Sequence, residues 1–217
     1  MLIEDIILEN TLEEGPNDPS IYKAVFLAGG PGSGKSYIVD RSALRSLGFK
    51  VVNNDAAFEK YLKDAGLTTT PDDIYSRRGQ EIRVHAKSIT NKQMQNYLKG
   101  ALGLVIDGTG KDYDKISRQA EKLEELGYDT AMIFVNTNLE TALKRNRMRN
   151  RQLPDEEVEK MWNAVQDNIG KFQHYFGNDM YVIDNSEGSD TETQVTRLFK
   201  RMRDWAKKIG HRRPKDD

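Results

Sequence analysis

Eight consecutive residues, Gly29-Gly30-Pro31-Gly32-Ser33-Gly34-Lys35-Ser36, fit the phosphate-binding pattern G-x-x-x-x-G-K-[ST]. Glycines let backbone N–H groups approach a polyphosphate closely and tolerate positive φ. A strand before the turn and a helix after it aim those N–H groups and a helix N-terminus at the anion. Both flanks are present: Tyr22 to Ala28 is a short apolar strand, and Lys35 to Leu47 carries no Gly or Pro and repeats its apolar residues at helical spacing. In that frame Lys35 reaches the β- and γ-phosphates, and the Ser36 hydroxyl holds Mg²⁺, a cation that prefers oxygen ligands. Tyr37 and Arg151 complete the set read as nucleotide-binding.

Three acids follow apolar strands: Asp55, Asp107 and Asp184. Ligands of open α/β sheets sit at the C-terminal strand ends. Asp107 follows Leu104-Val105-Ile106 and has two readings, a Mg²⁺-holding carboxylate or an Asp-Gly turn. Asp55 also has two, the N-cap of the next helix or a base that takes the proton of an attacking hydroxyl. Asp184, followed by Asn185-Ser186, reads as a turn residue. A second constellation is the basic run Lys144 to Arg151. Arg145 and Arg149 share one helix face, with Arg147 and Arg151 on a neighbouring one. Such a run fits a lid whose arginine forks meet the charge spread over a transferring phosphoryl group. The alternatives are a solvated surface or a nucleic-acid patch. His85, His174 and His211 lack metal-ligand spacing, and Trp162 and Phe172 read as packing residues. Arg77, Arg78 and Arg83 read as surface residues within reach of an anionic substrate.

The elements that must carry these residues are short apolar strands alternating with helices, which predicts a parallel α/β sheet. Further strands are predicted over 49–53, 102–106, 128–135 and 180–183. Helices are predicted over 56–65, 81–99, 113–126 and 139–149, from Pro154, and over 191–209. Residues 56–100 form a helical insertion. The domain expectation is an acidic arm over 1–20, a core over 21–210 with its lid at about 145–155, and a disordered tail over 211–217.

The chain has 217 residues, no Cys and a formal net charge of −1. Disulfide and thiolate chemistry are excluded, and no general attraction to nucleic acid or anionic membrane follows. The charge is uneven, with six acids and no Lys or Arg in 1–20 and nine Lys or Arg against three Asp in 197–217. The acidic arm, with Leu2, Ile3, Ile6 and Ile7 at helical spacing, is a candidate protein-docking element. No secretory signature and no apolar run of membrane-spanning length is seen, so a cytoplasmic protein is expected.

Four segments resemble the P-loop kinases related to zeta toxins and polynucleotide 5′-kinases. They are the octet, Val52-Asn53-Asn54-Asp55, Val105-Ile106-Asp107-Gly108-Thr109, and Arg145-Asn146-Arg147-Met148-Arg149 through Leu153-Pro154. Val182-Ile183-Asp184-Asn185-Ser186 resembles the last strand of zeta-toxin-like kinases, and the whole chain is most similar to the zeta-toxin-like proteins of tailed bacteriophages. A phage-encoded protein would act in the host cytoplasm. The resemblance implies an αβα sandwich around a five-stranded parallel sheet in the order 2-3-1-4-5. It makes Asp55 the residue that engages the acceptor hydroxyl, with Lys35, Arg145 and Arg149 as the other catalytic residues. The cofactors implied are ATP and Mg²⁺. The implied acceptor is a hydroxyl of a small molecule, with a nucleotide sugar as the zeta-toxin-like case. The second choice is a polynucleotide or nucleoside 5′-hydroxyl. Two departures weigh against nucleic acid: Phe58 stands where polynucleotide kinases carry a phosphate-binding Arg, and Gly110 replaces the Asn of their third-strand motif. A nucleotide switch or motor is the third reading. The guanine signature Asn-Lys-x-Asp and the transporter signature Leu-Ser-Gly-Gly are both missing.

Overall fold

The computed structural model describes residues 20–42, 44–149 and 152–208. Five strands, β1 (Lys23–Ala28), β2 (Lys50–Val52), β3 (Leu104–Asp107), β4 (Asp129–Asn136) and β5 (Met180–Asp184), form an all-parallel sheet in the order β2-β3-β1-β4-β5. This is the order the family resemblance implies. Nine helices lie among the described residues: α1 (Lys35–Arg41), α2 (Asn54–Asp64), α3 (Pro71–Tyr75), α4 (Arg77–Lys99), α5 (Tyr113–Glu125), α6 (Leu139–Arg147), α7 (Asp155–Gln166), α8 (Ile169–Phe176) and α9 (Thr191–Ala206).

Every residue of β1 is buried, as expected for a central parallel strand covered on both faces. Alternation sorts its side chains. Val25 and Leu27 join Ile38, Ile133, Val135, Leu198 and Trp205 on the α1/α9 side. Ala24, Phe26 and Ala28 join Ile116, Phe134, Phe172 and Phe176 on the other side. A separate small core of Phe58, Leu62, Ile74 and Ala86 holds the helical insertion α2–α4 together. Among the described residues no helix is long and apolar enough to cross a membrane.

Several boundaries differ from the sequence expectation. α6, expected over 139–149, ends at Arg147, so Arg149 lies beyond the helix face it was expected to share with Arg145. Three others differ for local reasons. The phosphate-turn helix ends at Arg41 rather than Leu47, and a 3₁₀ turn follows at Arg45–Leu47. The Ser42 hydroxyl donates to the Val39 carbonyl at 2.8 Å, an alternative to continued helix. The helix expected from Ala56 begins at Asn54, because Asn53 caps it. The insertion's long helix begins at Arg77, because the Ser76 hydroxyl accepts from Gly79 N. The acidic arm apart from Ser20, Ile209 and the basic tail lie outside the described residues.

Candidate active site

The phosphate turn leaves β1 at Ala28 and enters α1 at Lys35. Gly34 is left-handed, with φ +84°, and a Cβ there would stand 2.3 Å from the Asn185 amide nitrogen. A side chain would therefore be both strained and obstructed. Neighbouring elements hold the turn from below. Asn185 Nδ2 donates to Ser33 O at 2.7 Å, and the half-buried Arg145 donates to Gly32 O at 3.3 Å. Lys35 Nζ donates to Gly29 O at 2.6 Å, which folds the lysine back over its own loop.

Two carboxylates face this turn. Asp107 ends β3, and Asp55 sits in the first turn of α2, just past the edge strand β2. Burial pushes the Lys35 ammonium below its ordinary range. Arg149 pushes it the same way, while Asp107 and Asp55 pull against both. Burial pushes the Asp107 carboxyl up, and Asp55 adds to this. Lys35 and the Gly108 N–H oppose it. Lys35, Asp55, Asp107 and Arg149 therefore share one electrostatic neighbourhood, although they come from three elements and the loop after α6.

Asp55 does not cap its helix. Asn53 does, with Oδ1 accepting from Asp55 N at 2.8 Å and from Ala56 N at 3.1 Å. The capping alternative for Asp55 is thereby replaced, and its carboxylate is free of that duty. Asp107 Oδ2 accepts from Asn53 Nδ2 at 2.7 Å. Its other oxygen, Oδ1, is buried without a hydrogen-bond partner. Among the described residues one other buried side-chain polar atom shares that condition, Ser33 Oγ in the phosphate turn. Buried polar atoms are almost always paired. Two unpaired ones at one end of one sheet mark where an external polar group fits.

The basic run separates into different roles. Arg145 contacts the phosphate turn and Arg149 acts on Lys35, whereas Arg147 Nε pairs with Asp155 at 3.1 Å in an exposed ion pair. Asn146, fully buried, bridges the loop by donating to Leu153 O at 2.7 Å and accepting from Leu153 N at 3.1 Å. Arg151 lies outside the described residues. Tyr37 is 41% exposed, with the Arg41 guanidinium 4.6 Å over its ring.

The remaining candidates are structural. Asp184 accepts from Ser186 N, Ser186 Oγ and Ser189 Oγ, the turn role expected of it. Phe172 is core, and Trp162 donates its indole N–H to Thr137 O at 2.7 Å. His85 meets Tyr61 edge-on. In the insertion, Arg77 pairs with Glu81 at 3.0 Å and Arg83 stacks 4.8 Å over Phe58. Phe58 is 3% exposed and belongs to the insertion core, so packing dictates its type. Gly110 has φ +82°, and a Cβ there would lie 2.9 Å from Ala28 Cβ. An Asn at that position would collide with β1.

Asn53, Asn146 and Asn185 carry site geometry that sequence reading did not assign to them. For Asn53 and Asn185 the available signal was position: an Asn directly after a strand needs partners for both ends of its amide.

A parallel sheet in this order, with a G-x-x-x-x-G-K-S turn after its central strand, defines a P-loop nucleotide-binding fold of the kinase type. More particularly, the chain belongs to the AAA_33 family of AAA domains, whose profile matches residues 25–169. No curated protein matches the sequence. A structure from the PezAT chromosomal toxin–antitoxin system of Streptococcus pneumoniae aligns with TM-score 0.59 at 15% identity, covering 94% of this chain and 95% of that one. A gluconokinase from Sinorhizobium meliloti aligns with TM-score 0.51 at 15% identity, covering 86% and 94%. An AvrRxo1-ORF1:-ORF2 complex with ATP gives TM-score 0.60 at 16% identity, covering 88% of this chain and 65% of that one. At these identities the likeness is one of fold.

Proposed function

We propose that the protein is an ATP-dependent kinase that transfers the γ-phosphate of ATP to a hydroxyl of a small molecule. A nucleotide sugar is the acceptor class that the zeta-toxin resemblance favours. The observation that carries the reading is the pair of unpaired buried atoms, Ser33 Oγ and Asp107 Oδ1, flanking a lysine already desolvated at the phosphate turn.

Each residue then has a physical task. The glycine-rich turn presents its N–H groups to the β- and γ-phosphates. Lys35 exchanges its bond to Gly29 O for a phosphate oxygen, and its burial strengthens that contact because little water screens it. Ser36 and Asp107 Oδ1 supply hard oxygen donors that fit Mg²⁺, which when bound would neutralise phosphate charge. Asp55 accepts the proton of the acceptor hydroxyl as its oxygen forms the new bond to phosphorus and the bond to the β-phosphate oxygen breaks, leaving ADP. Arg145 and Arg149 meet the charge that develops on the moving group.

The reading is tested by mixing the protein with labelled ATP, Mg²⁺ and a metabolite extract. Label should pass to a small organic acceptor with wild type and not with Lys35→Ala. ATP turnover that is the same with and without extract, with no labelled product, would favour a switch or motor. Label on an oligonucleotide 5′-end would favour the polynucleotide reading, against which the packing role of Phe58 weighs.

A further inference from the structure

We propose that Asn53 is a positioning residue shared by the two carboxylates of the site: one end of its amide holds Asp107, and the other holds the turn that carries Asp55. The inference rests on the kinase reading above. β2 is a three-residue edge strand bonded only to β3, with Val52 opposite Ile106. The next rung puts Asn53 beside Asp107. Beyond it, α2 packs its apolar residues Phe58 and Leu62 into the insertion core rather than onto the sheet. The Asn53 side chain is thus the polar tie between the sheet and the first turn of α2. Its orientation is forced. Flipping the amide would set its oxygen against the Asp107 carboxylate and its N–H groups against two backbone N–H donors.

No other side chain favoured at an N-cap carries an N–H donor beside its acceptor oxygen. Asp would cap the helix equally well but would place a second carboxylate 2.7 Å from Asp107 Oδ2. Ser would cap but has no N–H at that reach. A neutral amide satisfies Oδ2, fixes the carboxylate's rotation and leaves Oδ1 as the open atom. The same amide sets how far Asp55 stands from Asp107. A displacement of about 1 Å at a reacting group costs on the order of 10²-fold in rate.

The test uses the full chain, with Asn53→Ser, Asp55→Asn and their double variant. Asn53→Ser keeps the cap and removes only the donor to Asp107. It should lower kcat roughly 10²-fold with little change in the KM for ATP. The double variant should be no slower than the slower single one, because cutting the tie to Asp107 acts by displacing the turn that carries Asp55. Independently of activity, Asn53→Ser should lower the Tm of wild type and lose that effect when Asp107→Ala is already present. Wild-type kcat in Asn53→Ser, full additivity with Asp55→Asn, or a Tm loss indifferent to Asp107→Ala would each overturn the inference while leaving the kinase reading intact. A wild type that transfers no phosphate removes the kinase reading, and this inference with it.

Discussion

Asp55→Asn separates chemistry from fold more cleanly than any other substitution in this chain. The cap of α2 belongs to Asn53, so replacing Asp55 removes no capping bond. The acid does sit in the first turn of an eleven-residue helix, where a negative charge is worth about 0.3–1 kcal/mol at the helix dipole. For a protein of this size each kcal/mol corresponds to roughly 2–4 °C. The expected Tm loss is therefore at most about 4 °C, and relief of the repulsion between Asp55 and Asp107 offsets part of it. Nucleotide binding should persist, since Lys35, Ser36 and Asp107 are untouched. Asn can still hydrogen-bond an acceptor hydroxyl but cannot take its proton. Transfer should fall roughly 10²–10⁴-fold, about 3–5 kcal/mol in the barrier. Melting temperature, nucleotide affinity and transfer from labelled ATP are measured side by side. Wild-type transfer in a folded Asp55→Asn protein would refute the assignment of Asp55 as the base.

Lys35→Met should abolish transfer and weaken ATP binding, as measured by calorimetry, yet raise the Tm of the nucleotide-free protein. Burial lowers the Lys35 pKa, so the charged form is penalised in the fold at neutral pH. That penalty fades as pH rises towards the ordinary 10.5, and the stability advantage of Lys35→Met should shrink with it. The Asp107 pKa is raised, so the ionised carboxylate costs stability at neutral pH, and wild type should recover that loss as pH falls towards 3.8. Asp107→Asn should accordingly melt higher than wild type at neutral pH, converge on it in acid and transfer no phosphate; equal Tm values across the range would contradict the burial account. Arg149→Ala should lower kcat roughly 10²-fold with a smaller effect on nucleotide affinity. If kcat holds and only oligonucleotide binding falls, the basic run is a nucleic-acid patch.

The phosphate turn and its flanks were legible because each rests on a local rule, glycine spacing on one side and apolar runs on the other. The strand order was not local information; it came through the family resemblance and is present in the sheet. The sequence left Asp55 between cap and base, and did not offer Asn53 as the cap of α2, for a physical reason. Asn53 and Asp55 are equally good caps by type, and what decides between them is a long-range register, Val52 beside Ile106, that seats Asn53 against Asp107. The basic run shows the same limit. Helical spacing groups its arginines by face but cannot tell that Arg147 is diverted to Asp155 while Arg145 turns to Gly32. The phosphate-turn helix overran its true end because one hydroxyl, Ser42, outcompetes a pattern that looks continuous.

Asparagine recurs at the joints of this site because of what the site must bind. Asn53 ties α2 to Asp107, Asn185 ties the phosphate turn to the end of β5, and Asn146 ties the two ends of the basic loop. Each joint needs one donor and one acceptor in a buried or half-buried place. A carboxylate would supply no donor and would repel a polyphosphate. An ammonium or guanidinium would supply no acceptor and would need its own counter-charge. The amide offers both, on two separate atoms, without altering the balance among Lys35, Asp55, Asp107 and Arg149. Burial already penalises the charged forms of Lys35 and Asp107, and the groups that hold the site in place add no further charge to that penalty.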